Sequence, residues 1–297
     1  MFESMYHLSL VTIIKDEPNL EQFLMYYRLL GVEHFYIYDN ESSPSIADRL
    51  DRYPYFQRFC TIIQIKGRGM QLSAYNHFQQ TFADQTYWAI MVDGDEYIVP
   101  KTTFTLPEFL IQYDDYHAIG INWIIFGTNG HESFQTGYVI DKYRRRCANQ
   151  NRHVKSIMKP QHAIGWYSPH FPVLKDRSRY CDAHRRHLTD AFNDNYTMDI
   201  IQLNHYWFRS AEYTRLKTTQ NRCDLGIPRV TFTDDPNGDY TMTEIYEAPH
   251  RYNNDMEDSY AANKYLPHLR RMMTQYLSPL PIDVERPIST PEETKSS

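Results

Sequence analysis

The chain has 297 residues, 41% of them hydrophobic and 23% charged, with a formal net charge of −6. That is the composition of an ordinary globular protein, enough for one large domain or two small ones, and its acidic balance excludes a general nucleic-acid binder. No apolar run reaches the roughly 18 residues of a membrane span, and the N-terminal run is too short for a signal peptide, so the expected location is the cytoplasm. Cys60, Cys147, Cys181 and Cys223 are widely spaced with no C-x-x-C pair, which reads as reduced thiols. Cys181, His184 and His187 form a C-x2-H-x2-H cluster that lacks a fourth zinc ligand at the usual spacing. The 25 tyrosines suit a sugar-binding cleft, though Tyr is also common core filler.

Taken in order, His7 to Ile14 reads as a first strand that ends in charge at Lys15, Asp16 and Glu17. Pro18 then opens a helix with apolar positions Leu20, Phe23, Leu24 and Tyr27, and Gly31 stops it. His34 to Tyr38 is a second strand, ending at Asp39 and Asn40. A short helix over 46–53, a strand over 59–65 and a helix over 71–82 lead to the apolar run Trp88 to Val92. This alternation of strand and helix predicts a parallel sheet with right-handed crossovers.

The run from Trp88 ends abruptly in Asp93, Gly94, Asp95 and Glu96. Ligands bind beyond the carboxyl ends of strands in open α/β sheets, so acids at that point stand where a site belongs. Two carboxylates on so short a turn repel unless a cation lies between them. A hard divalent ion, Mg²⁺ or Mn²⁺, holding a diphosphate would relieve that cost. A solvated acidic turn is the plainer reading of the same residues.

Further on, Thr105 and Glu108 form a capping box for a helix running to about Tyr113. Ala118 to Phe126 is a strong strand, followed by a loop over 127–130. From Lys142 to Lys159 there are seven basic residues and no acid, either a solvated face or a phosphate-neutralising patch. Residues 165–195 lack periodicity and predict loops. Residues 200–207 predict a strand and 210–220 a helix. Asp234 to Asp239 predicts a loop, Leu269 to Tyr276 an amphipathic helix, and the proline-rich end from Ser278 disorder.

Several of these segments occur together in a known pattern: Ile14 to Glu17 with Tyr26, Tyr27 and Arg28, Gly31 to Asn40, Gln71 through Ala74, Tyr75, Asn76 and His77, the strand into Asp93 to Glu96, Phe126 to His131, Val154 to Ile157, and Asn204, His205 and Tyr206. In this order, over roughly residues 8–220, they resemble the family 92 glycosyltransferases and their family 2-like relatives. The chain departs from that pattern at Asp16, commonly Asn, and at Thr128 and Asn129, commonly Ser.

The resemblance implies a GT-A-like α/β fold, with a Rossmann-type, mostly parallel central sheet flanked by helices and an irregular C-terminal acceptor region. It divides the chain into a glycosyltransferase domain over 1–220 (a nucleotide-binding half over 1–100 and an acceptor half over 101–220), a helical extension over 221–277 and a tail over 278–297. It implies transfer of a sugar from a nucleotide diphosphate sugar, a UDP-sugar before a GDP-sugar, to a hydroxyl of a glycan or glycoconjugate, with inversion and with Mn²⁺ or Mg²⁺. Glu17, Asp39, Gln71 and Asn76 would contact the donor. Asp93, Asp95 and His205 would hold the metal, and Asp93 and Lys155 would meet the diphosphate. For the base that deprotonates the acceptor, Glu132 is the first choice and Asp182 the second. The residues alone leave His205 open as a packed aromatic-strand residue and Glu132 as a loop-surface acid. A membrane is expected to be met only through a lipid-linked acceptor or partners. Two other classes stay open, a metal-dependent phosphoryl or nucleotidyl transferase and a non-catalytic carbohydrate-binding protein. The first usually wants a Gly-rich phosphate loop, and neither G-x-G-x-x-G nor G-x4-G-K-[ST] is present.

Overall fold

The structure is a computed structural model that describes residues 5–219 and 242–277. In chain order the strands are β1 (Tyr6–Ile14), β2 (His34–Asp39), β3 (Cys60–Gln64), β4 (Thr86–Met91), β5 (Glu96–Pro100), β6 (Ala118–Ile125), β7 (Arg145–Arg146), β8 (Val154–Met158), β9 (Ala163–Ser168), β10 (Phe171–Leu174), β11 (Tyr180–Cys181), β12 (Ile201–His205) and β13 (Met256–Glu257). The helices are α1 (Leu20–Leu29), α2 (Ile46–Leu50), α3 (Gln71–Thr81), α4 (Leu106–Leu110), α5 (Val139–Lys142), α6 (Ala211–Thr219), α7 (Met242–Glu247) and α8 (Tyr260–Leu277).

Among the described residues the main sheet runs β3-β2-β1-β4-β8-β6-β12-β5, with β11 beside β6. The first four strands are all parallel, as the alternation predicts. They are near-continuous apolar runs because helices cover both faces of a parallel sheet. The order then changes sense: β8 is antiparallel to β4 and β6, and β5 is antiparallel to β12. This mixed, mostly parallel sheet between helices is a GT-A-like arrangement.

Several local expectations need correction. The basic stretch over 142–159 is not one patch. It contains β8, where Lys155 is buried, and three of its other cations find separate acids: Arg146 on Asp258 at 3.0 Å, Lys159 on Asp114 at 2.9 Å, and Arg144 on Asp141. The stretch over 165–195, expected to be loops, carries part of the β9–β10 hairpin and β11. Only Ala163 and Trp166 of β9 are buried while Ile164 and Tyr167 are exposed, so burial recurs every third residue and not at the period of two that marks a strand. Strand β5 was hidden because it follows the acidic turn directly. Helix α2 ends at Leu50, short of the expected 53. The capping box forms as read: Thr105 Oγ1 accepts from the Glu108 N–H at 3.4 Å, and Glu108 Oε2 accepts from the Thr105 N–H at 2.9 Å.

The expected loop at 234–239 and the tail from Ser278 lie outside the described residues. Residues 242–277 pack onto the main core: Tyr265, Leu266, Leu269, Met273 and Leu277 of α8 share one apolar cluster with Phe23, Tyr26 and Tyr27 of α1.

Candidate active site

Because β1, β2 and β4 are adjacent and parallel, the acids that follow them emerge side by side at one edge of the sheet. The turn after β4 is packed against the segment after β1. A Cβ on Gly94 would lie 2.7 Å from Ile14 Cδ1 and 3.3 Å from Glu17 Cγ, so a larger residue would have to push these side chains aside. Asp39 is fully buried: its Oδ1 accepts from the Ser42 N–H, and its Oδ2 from the Ile46 N–H and Gln64 Nε2, each at 2.9 Å. It fixes the loop after β2.

The mutual repulsion expected of Asp93 and Asp95 is met from within the chain, since each has its own lysine. Asp93 Oδ2 accepts from Lys155 Nζ at 3.0 Å and its Oδ1 from Gln71 Nε2 at 2.7 Å. Asp95 is paired with the Lys217 ammonium, and His205 Nε2 lies 3.5 Å from its Oδ1. Glu17 Oε1 accepts from Arg209 Nη1 at 2.8 Å. Three carboxylates thus face three cations in a largely buried layer.

Burial works against ionisation of Asp95, but Lys217 and His205 hold its carboxyl well below the usual range. Glu96 behaves oppositely. Burial, reinforced by the charges of Asp93 and Asp95 and opposed by Lys155, pushes it well up. Burial lowers Lys155, yet the Asp93 carboxylate beside it outweighs burial and raises it. Burial lowers His205, against Asp95, so its imidazole is neutral at pH 7.

One carboxylate oxygen and one neutral imidazole nitrogen make a donor pair that Mn²⁺ accepts, and Asp95 with His205 supplies it. Asp93 has both oxygens engaged, and among the described residues no group of three His, Cys, Asp or Glu side chains converges on one point. The residues fit a cation held by two protein ligands whose other positions fall to phosphate oxygens and water, provided that Lys217 leaves Asp95.

The sequence profile of glycosyltransferase family 92 matches residues 15–173, more than half of the chain. The chain belongs to glycosyltransferase family 92. It is a transferase by family. No curated protein matches it in sequence. Among solved structures it is similar to S. aureus TarS 1–349 (13% identity, 52% of this chain and 47% of that one, TM-score 0.33) and to HddC from Yersinia pseudotuberculosis (11% identity, 56% and 82%, TM-score 0.36). The match spans about half the length of the TarS fragment.

In this family 92 chain the remaining predicted residues are dispersed. The Asn76 side chain clips α3 to β9, its Nδ2 donating to the Trp166 carbonyl at 3.1 Å and its Oδ1 accepting the Trp166 N–H at 2.9 Å. Glu132 follows the carboxyl end of β6, at the same end of the sheet as the acidic turn. It is 70% exposed and accepts from His250 Nε2 at 2.8 Å, with Arg215 at 3.7 Å. Asp182 is buried beside β6 and held by Arg186 at 2.7 Å and by the N–H groups of His184 and Arg186. Of the C-x2-H-x2-H cluster, Cys181 is buried, His184 meets Asp199 and His187 the Arg177 carbonyl.

Sequence reasoning missed Arg209 and Lys217. Their partners lie 192 and 122 residues away, and no local spacing signals such a pairing.

Proposed function

We propose that this family 92 chain transfers a sugar from a nucleotide diphosphate sugar, UDP before GDP, to a hydroxyl of a glycan or glycoconjugate, with inversion and with Mn²⁺ or Mg²⁺. The observation that carries the reading is the convergence of strand-end carboxylates with interleaved lysines at the turn after β4. Asp95 and His205 would hold the divalent ion, with Asp93 joining once released from Gln71 and Lys155. When bound, that ion supplies Lewis-acid neutralisation of charge on the diphosphate. Lys155 and Lys217 add fixed positive charge where the departing diphosphate becomes more negative, which is electrostatic stabilisation of the transition state. Gln71 orients the donor, while Glu17 and Asp39 shape its pocket through the loops they fix and Asn76 anchors the helix that carries Gln71. Glu132 is the preferred base for the acceptor proton, because it is exposed at the right end of the sheet and the His250 imidazole at 2.8 Å orients its carboxylate. Asp182, with its oxygens occupied, is second.

The test is thermal stability against nucleotide diphosphates and their sugars, with and without Mn²⁺, on the wild type and on Asp93→Ala/Asp95→Ala. A ligand that binds only the native state stabilises it by about 2.7 kcal/mol at a hundredfold excess over Kd. Stabilisation by one nucleotide with metal, lost in the double variant, is the expected result. If no nucleotide shifts the wild type under any metal condition, the assignment of a nucleotide diphosphate sugar to this turn falls.

A further inference from the structure

Next to the acidic turn, on the acceptor side of the sheet, four rings from four segments meet. Trp123 of β6 stacks on His153 at 5.2 Å between ring centres, meets His170 edge-on at 4.9 Å and lies 4.5 Å from His205. The β6–β8 register pairs Ile121 with Lys155, so Trp123, two residues on, stands on the sheet face from which Lys155 reaches Asp93.

The two outer imidazoles have fixed tautomers. His170 Nδ1 lies 3.0 Å from the Val154 carbonyl, which can only accept, so Nδ1 carries the proton and Nε2 the lone pair. Asn151 Oδ1 accepts the His153 N–H at 2.9 Å and lies 2.7 Å from His153 Nδ1, so this ring too donates from Nδ1 and bares Nε2. Burial, with Arg152 and His205 adding to it, lowers His153 to about 4. Burial, aided by Lys155, takes His170 well down, and both rings are neutral at pH 7. Neither Nε2 meets a hydrogen-bond donor among the described residues; both histidines are partly buried as residues, the His170 ring more deeply than that of His153. Inside the cluster, Trp123 Nε1 is buried without a partner. Phe192, 42% exposed, packs edge-on against His153 at 4.7 Å and forms an apolar rim. Arg152 lies over the Phe192 ring at 4.7 Å and is itself paired with Asp194 at 3.1 Å, and between the rings the two Nε2 atoms present uncharged lone-pair acceptors beside a single N–H donor. They suit a neutral ring bearing several hydroxyls.

We propose that Trp123, His153, His170 and Phe192 form a subsite for a neutral sugar ring of the acceptor, whose non-reacting hydroxyls donate to His153 Nε2 and His170 Nε2. The assignment rests on the glycosyltransferase reading, but its test is independent of nucleotide binding. The full chain labelled with ¹⁵N-histidine is titrated with methyl glucoside, galactoside, mannoside and N-acetylglucosaminide, with and without UDP and Mn²⁺. At least one glycoside is expected to move the Nε2 resonances of both His153 and His170. His153→Phe and His170→Phe are each expected to weaken that glycoside at least about tenfold while leaving UDP-induced stabilisation unchanged. The wild-type spectra decide the matter even if a variant fails to fold. Unmoved Nε2 resonances with every glycoside overturn the proposal, as does undiminished binding in both variants. An equal loss of donor hydrolysis and sugar transfer also overturns it, since the rings would then serve the donor sugar. Failure of UDP to bind the wild type sinks the donor reading alone.

Discussion

Asp95 and Glu96 are neighbours in sequence with opposite electrostatics, which makes them a controlled pair. Asp95 is held below the unfolded value of about 3.9, so the stability it contributes is present above that pH and is lost as pH falls through its folded pKa. Glu96 is raised, so its contribution is complete below about 4.3 and is lost as pH rises through its folded pKa. Asp95→Asn removes the buried carboxylate that pairs with the partly buried Lys217 and is expected to lower the melting temperature at pH 7, a deficit that shrinks towards pH 3. Glu96→Gln mimics the protonated acid and is expected to match or exceed the wild-type melting temperature at pH 8, with the advantage shrinking towards pH 4. Melting curves across that range check both, and a Glu96→Gln loss at pH 8 equal to that of Asp95→Asn would refute the assignment. The acids themselves were legible in the sequence because they follow apolar runs. Their counter-ions were not: Lys217, Lys155 and Arg209 reach them only once the sheet has brought distant segments together.

At the level of elements, α6 follows β12 closely and carries Lys217 onto Asp95, so this helix controls access to the Asp95–His205 pair. A cation arriving alone must displace an ammonium that is already there. A cation arriving with a diphosphate gives Lys217 a new anion to meet. Mn²⁺ without nucleotide is therefore expected to raise the melting temperature of the wild type little, and that of Lys217→Met distinctly more. Equal Mn²⁺ shifts in the two proteins would show that Lys217 does not compete. The helix was readable from its pattern, as were β1, β2, β4 and β6 from continuous apolar runs. Strand β8 was not, because Lys155 inside it looks like part of a basic surface until its burial is known. The β9–β10 hairpin was missed for the converse reason: Ile164 and Tyr167 are apolar yet exposed, which erases the contrast on which a strand reading depends.

For the whole molecule, the family match ends at residue 173, but the sheet does not. β12, contributed by residues 201–205, lies between β6 and β5 and is the only strand hydrogen-bonded to β5 among the described residues. β5 directly continues the acidic turn, and the Asp95 carbonyl accepts the Tyr206 N–H at 2.9 Å. A fragment ending at residue 173 would leave the backbone of β5 unpaired, strip Lys217, His205 and Arg209 from the buried acids, and uncover the faces of α1 and α5 on which α8 rests. Each unpaired buried polar group costs about 1–3 kcal/mol, and a domain's whole stability is about 5–15 kcal/mol, so the losses exceed what is available. The fragment 1–173 is expected to lack a cooperative thermal transition and dispersed amide NMR signals, whereas the chain through residue 277 should show both. A cooperatively folded 1–173 would mean that the acidic turn can be held without the later strand, and that the ion pairs reaching it from residues 205–217 serve the chemistry and not the fold.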